Sequence, residues 1–228
     1  MFNQHAGFTA FHEVISELIK LSTKLAENPN SKEMVYAELR TIFRKRKWDG
    51  KKGQVVVHSD HRMWNLVEFL SDYFPNSSFI HLMRNPYDSV QSYLPRGWYS
   101  ETNVKEESDY GKYRLQGDKI GVMSSGDWKN YSLIEKCTWY WNYVNAYIEI
   151  QLKDVKEERV EVIKLENMQD GMNEIIKRKF DIEPDFIFSN IVSNRSNDNI
   201  VNFVEDEKVK IALQKVGSGF CSRYYRYD

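Results

Sequence analysis

Apolar residues recur at helical spacing over Phe11, Val14, Ile15, Leu18, Ile19 and Leu25, which predicts a first helix ending near Asn28-Pro29-Asn30. A second helix is expected from Ser31 to about Lys45, with Ser31 as its cap and Met34, Val35, Leu39, Ile42 and Phe43 on its apolar side. Gly50 and Gly53 bracket a turn. Gln54-Val55-Val56-Val57-His58 is short and β-branched, so it reads as a strand. A helix from His61 to Tyr73 follows, with Trp64, Val67, Leu70 and Phe74 facing inward. Pro75-Asn76-Ser77 is a turn, and Phe79 to Met83 is a second strand. Residues 54–83 therefore read as one β-α-β unit, which implies parallel strands and a right-handed crossover.

The pattern then breaks. Residues 94–131 carry six glycines and prolines and many charges, with no sustained period. A loop of that length in a compact domain is usually functional or mobile. Periodicity returns from Leu133 to Leu152, where Ile134, Cys137, Trp141, Val144 and Ile148 form a stripe. Glu161 to Leu165 is a third strand of parallel type, and helices are expected over about Asp170–Phe180 and Glu205–Val216. The fold class is α/β: a parallel sheet flanked by helices in a single domain spanning 1–228.

The 32 basic and 33 acidic residues nearly cancel, which argues against a protein that coats nucleic acid. Arg44-Lys45-Arg46-Lys47 is a solvated helix end rather than a binding patch. Cys137 and Cys221 are too few for a disulfide framework or a zinc site, and no metal-ligand cluster is evident. No apolar run reaches the length of a membrane span, and the amino end lacks the basic and apolar blocks of a secretory signal. A reducing cytoplasm is the simplest location, with a Golgi-lumen domain cut from its anchor as the competitor.

Arg84 sits where the second strand ends, Asn85 is placed to cap the next helix, and Pro86 fits its first position. A guanidinium beside a helix N-terminus at a strand's carboxyl end is a natural anion site. The stretch Phe79-Ile80-His81-Leu82-Met83-Arg84-Asn85-Pro86, with Ser92 eight residues after Arg84, resembles the sulfotransferases that use 3'-phosphoadenosine 5'-phosphosulfate (PAPS). Three further segments match that family in order. They are His58-Ser59-Asp60, the Trp-rich segment from Gly126 to Trp141, and Val162-Ile163-Lys164-Leu165-Glu166-Asn167-Met168. The resemblance covers about residues 54–170.

It implies a three-layer sandwich of the P-loop nucleotide-hydrolase type, with PAPS as co-substrate and 3',5'-phosphoadenosine (PAP) as product. It also implies that Arg84 and Ser92 hold the nucleotide's 3'-phosphate. The family's phosphate loop, which follows a first strand, has its closest counterpart in His5-Ala6-Gly7-Phe8-Thr9. Only four residues precede it, so the chain is expected either to lack its first strand or to be a degenerate relative. His58 stands where the family carries Lys, and a nearby His serves the cytosolic branch as general base. His58 and His61 are thus the candidate catalytic residues, and His5, Gly7 and Thr9 the candidates for the nucleotide's 5' side.

The function expected is transfer of a sulfuryl group to a hydroxyl or amine of a small molecule or carbohydrate, without metal, nucleic acid or membrane. The competing expectation is a binding protein of the same fold without turnover, suggested by His5 and His58. A small-molecule kinase is disfavoured because no Gly-x-x-x-x-Gly-Lys-Ser/Thr occurs. Trp98, Tyr99, Tyr110 and Tyr113 in the long loop either stack on an acceptor or pack that loop down.

Overall fold

A computed structural model describes residues 7–45, 53–101, 109–183, 206–217 and 219–225. The chain is mixed α/β; among the described residues there are four five-residue strands in two parallel pairs, with helices between and around them. Strand β1 (Phe8–His12) pairs with β2 (Val55–Ser59) in a register from Phe8↔Val55 to His12↔Ser59. Strand β3 (Phe79–Met83) pairs with β4 (Val160–Lys164) from Phe79↔Val160 to Met83↔Lys164. The three expected strands are present, but among the described residues β2 does not pair with β3.

The amino end departs from its sequence pattern. Phe8 to His12 form a strand, and the first helix, α1, starts only at Leu18 and runs to Glu27. The apolar spacing at Phe11, Val14 and Ile15 imitates a helix. Ladder bonds to β2, 47 positions away, override that local signal (Phe8↔Val55). Helix α2 (Lys32–Lys45) begins where expected, but Ser31 is not its cap. Its hydroxyl donates backward to the Asn28 carbonyl at 2.7 Å, and the Asn28 side chain caps the short turn between the helices.

Helices α1, α2 and α3 (Val67–Tyr73) bury Leu18, Leu21, Leu39, Phe43 and Phe69 against one another. Helix α4 (Pro86–Tyr93) follows β3. Among the described residues, the expected long loop contains the short helices α5 (Asp109–Lys112) and α6 (Ser125–Asn130). Helix α7 (Leu133–Leu152) opens with a reciprocal cap. The Ser132 N–H donates to Glu135 Oε2 at 2.6 Å, and the Glu135 N–H donates to Ser132 Oγ at 3.2 Å. Its Trp139, Trp141 and Val144 form the largest core cluster with Met83, Val90, Val209, Leu213 and Phe220. Cys137 belongs to the same cluster, and burial pushes its thiol up to about 12, so it acts as a small hydrophobe.

Helix α8 (Met168–Phe180) packs Met172 and Ile175 on Ile163 of β4, and Ile176 on Phe8, Val55 and Val57 of the other sheet. Gly171 permits the close approach: a Cβ there would stand 3.2 Å from Ile163 Cγ2. Helices α9 (Asp206–Val216) and α10 (Cys221–Tyr224) close over α7. No helix among the described residues is long and apolar enough to cross a membrane.

Candidate functional site

Two clusters gather at the carboxyl ends of the strands. The first surrounds the β3–α4 junction. Asn85 Oδ1 accepts from the Tyr87 N–H at 2.9 Å, and Pro86 takes the first helical position. Two distant segments fix this corner. The Trp141 indole N–H, from α7, donates to the Arg84 carbonyl at 2.9 Å. Glu166, just after β4, accepts from the Asn85 N–H at 2.8 Å and from the Tyr225 hydroxyl at 3.3 Å. The backbone of Arg84 is therefore held while its side chain is exposed, and among the described residues its guanidinium makes no hydrogen bond or ion pair. Ser92 lies near the far end of α4 and is not bonded to Arg84. Instead, Arg96 Nη1 donates to the Ser92 hydroxyl and to its carbonyl, the latter at 3.1 Å. Arg96 was not singled out from the sequence, although its spacing of four from Ser92 is the signal that places it on the same face.

The second cluster caps β1 and β2. Glu13, with φ at +49°, extends the ladder by donating its N–H to the Ser59 carbonyl at 3.0 Å. Its Oε1 lies 2.6 Å from His61 Nδ1. The hydrogen bond with His61 outweighs burial and holds the Glu13 carboxyl below its usual range. An ionised Glu13 accepts, so His61 Nδ1 carries a proton, and in the neutral ring Nε2 is left with the lone pair. The Asp60 side chain is fully buried and forks onto Arg62, with Nε to Oδ1 and Nη2 to Oδ2 both at 2.7 Å. Arg62 is buried too, and its Nη1 donates to the Tyr110 hydroxyl at 3.1 Å. Burial pushes the Asp60 carboxyl up, but His58 and the Arg62 fork together prevail and bring it to about 2.

The two candidate histidines differ in kind. The His58 side chain is 14% exposed, with Nε2 3.7 Å from Asp60 Oδ2, whereas that of His61 is 43% exposed and backed by Glu13. His61 has the geometry of a proton acceptor, and His58 that of a half-buried companion to Asp60. The ligand atoms of Glu13, Asp60 and His61 lie within 4.8 Å of one another. A cation there would compete with the Arg62 fork and with the proton on His61 Nδ1, so the donor set is organised around an arginine and a proton.

The expected phosphate loop is placed differently. The Gly7 carbonyl accepts from the Val55 N–H at 2.8 Å, and the Thr9 hydroxyl donates to Gln54 Oε1 at 2.6 Å inside the sheet. Both residues lie at the amino end of the β1–β2 pair, roughly four residue rises or 13 Å from the carboxyl end. His5 lies outside the described residues. The turn that does precede α1 is Glu13-Val14-Ile15-Ser16-Glu17, whose two carboxylates oppose a phosphate. Of the loop aromatics, Trp98 stacks on Tyr93 at 4.0 Å and Tyr99 donates its hydroxyl to the Leu115 carbonyl at 2.6 Å, so both pack the loop. Tyr110 reaches Arg62, and Tyr113 borders a cleft with His61. No family model, curated protein or solved structure matches this chain.

Proposed function

We propose that this chain is a PAPS-dependent sulfotransferase of the P-loop three-layer type, moving a sulfuryl group to a hydroxyl or amine of a small molecule or carbohydrate. One observation carries the reading. Three of the four segments that resemble the family meet at one corner, with Trp141 and Glu166 both bonded to the backbone of Arg84-Asn85. Such a corner presents the Arg84 guanidinium and the α4 N-terminus together, which suits a phosphate. The 3'-phosphate of PAPS is the group assigned to it, with Ser92 and Arg96 on the same helix face.

The chemistry follows from the second cluster. The acceptor O–H gives its proton to His61 Nε2 while the acceptor oxygen bonds to sulfur. The bond from sulfur to the PAP phosphate oxygen breaks, and PAP leaves. Glu13 steadies the imidazolium that forms. His58 and Asp60 act behind this pair, through the position of the His61 turn.

A second reading is a PAP-binding protein of this fold without turnover. The acidic turn from Glu13 to Glu17 favours it, because the 5'-phosphosulfate lacks a basic loop there. Calorimetry with PAP and ATP, beside transfer of labelled sulfate from PAPS to phenols and sugars, decides. Binding of PAP but not ATP, with transfer, supports the enzyme. Binding without transfer supports the second reading, and no PAP binding removes both.

A further inference from the structure

Beside the His61 turn lies an open cleft bordered by Thr23, His61, Arg62, Tyr113, Arg114 and Tyr140, with about 20 Å³ of enclosed space at its floor. Thr23 ties its wall together by donating to the Tyr113 carbonyl at 2.6 Å. That space takes about one water-sized group, such as a single oxyanion, and the rest of a ligand would lie in the open mouth. The cleft's charge is unbalanced in one place. Arg62 is matched by Asp60, and His61 by Glu13. Arg114 is only 7% exposed, yet among the described residues no carboxylate pairs with it. Its Nε is buried without a hydrogen-bond partner, and its guanidinium carbon lies 3.6 Å above the Trp98 ring.

The ionisable groups that act most on Arg114 are Tyr99, Tyr140, Cys137 and Tyr93. Burial pushes Tyr140 and Cys137 up to about 12, and holds Tyr93 and Tyr99 above the usual tyrosine range. All four are neutral at pH 7. A buried cation facing only neutral groups is costly unless a counter-charge arrives. Stacking on Trp98 offsets part of that cost and fixes the guanidinium plane.

We propose that this cleft binds a small molecule bearing one oxyanion on a flat ring, with the Arg114 guanidinium as its counter-charge. The ring lies against Tyr113 and Tyr140, and the molecule faces His61. On the sulfotransferase reading, and resting on it, this molecule is the acceptor, so the acceptor class is anionic phenols.

The probes are 4-hydroxybenzoate, its neutral counterpart 4-hydroxybenzyl alcohol, and inorganic sulfate, titrated by calorimetry and by thermal melting without any nucleotide. Wild type binds 4-hydroxybenzoate and melts higher with it, and the neutral alcohol binds at least tenfold more weakly. Arg114→Met weakens 4-hydroxybenzoate about ten- to a hundredfold, as loss of a charge-assisted contact does. Free of ligand it melts no lower than wild type, because the unpaired charge is gone. Should Arg114→Met not fold, Arg114→Lys retains measurable binding, and sulfate competes with 4-hydroxybenzoate in wild type. Equal binding of acid and alcohol, equal binding by Arg114→Met, binding of sulfate alone, or no binding at all overturns the proposal. None of these measurements involves PAPS, so they fail or stand separately from the nucleotide reading.

Discussion

The Trp141 indole donates to the Arg84 carbonyl at 2.9 Å across 57 positions of chain. A buried ring on α7 thereby sets the direction in which β3 ends and Arg84 leaves the sheet. Trp141→Phe retains most of the packing and removes the donor, leaving the carbonyl unpaired. The expected loss is about 1–3 kcal/mol of stability. The PAP affinity falls severalfold because the Arg84 backbone is released. Denaturant melts and calorimetry of the same samples check both.

Asp60 makes the fold sensitive to acid. Its carboxyl has its folded pKa lowered from 3.8 to about 2 by His58 and the Arg62 fork against the opposing effect of burial. A depressed pKa contributes stability that is fully present above the unfolded value. That contribution is lost as pH falls from about 4 through about 2. The amount is on the order of 2 kcal/mol. Asp60→Asn removes this part of the acid transition. At pH 7 it costs about 3–5 kcal/mol, since Arg62 is left buried without its counter-charge. Urea melts at pH 2.5, 4 and 7 test this, and an unchanged pH slope in the variant counts against it.

The two histidines separate by kinetics. His61→Ala is expected to lower sulfate transfer about 10²–10⁴-fold with PAP affinity unchanged. Glu13→Gln leaves Nδ1 with a weaker partner and lowers transfer less. His58→Ala loses stability through Asp60 and loses transfer least of the three. Full activity in His61→Ala, with loss in His58→Ala, assigns the proton transfer to the other ring.

Much of this was legible in the sequence where the signal is local. The α7 helix shows its period and carries Ser132 and Glu135 at cap spacing, and β3 is a short apolar run between a turn and a capped helix. Arg84 was legible for the same reason, because strand end, cap and Pro86 are contiguous. Strand β1 was not, since its ladder to β2 is non-local and its apolar spacing fits a helix equally well. That one misreading displaced the expected phosphate loop onto Gly7 and Thr9. The Glu13–His61 contact joins residues 48 positions apart, so no motif announces it. Arg114 lies in a stretch without a period, and only the fold shows that it is buried with no carboxylate paired to it among the described residues.

Arg84→Ala should leave the melting temperature within experimental error, because the side chain is exposed and carries no bond among the described residues. Its PAP affinity should fall by about 1.5–3 kcal/mol, or roughly ten- to a hundredfold. Arg96→Ala should lose affinity as well, by less, since Arg96 acts in company with Ser92.

The most direct test compares PAP with adenosine 5'-phosphate, which lacks only the 3'-phosphate, by calorimetry on wild type and Arg84→Ala. Wild type should prefer PAP by at least tenfold, and Arg84→Ala should bind the two nucleotides almost equally, so that the preference disappears with the guanidinium. Equal binding of both nucleotides by wild type, or a preference that survives Arg84→Ala, would contradict the assignment of this corner to the 3'-phosphate.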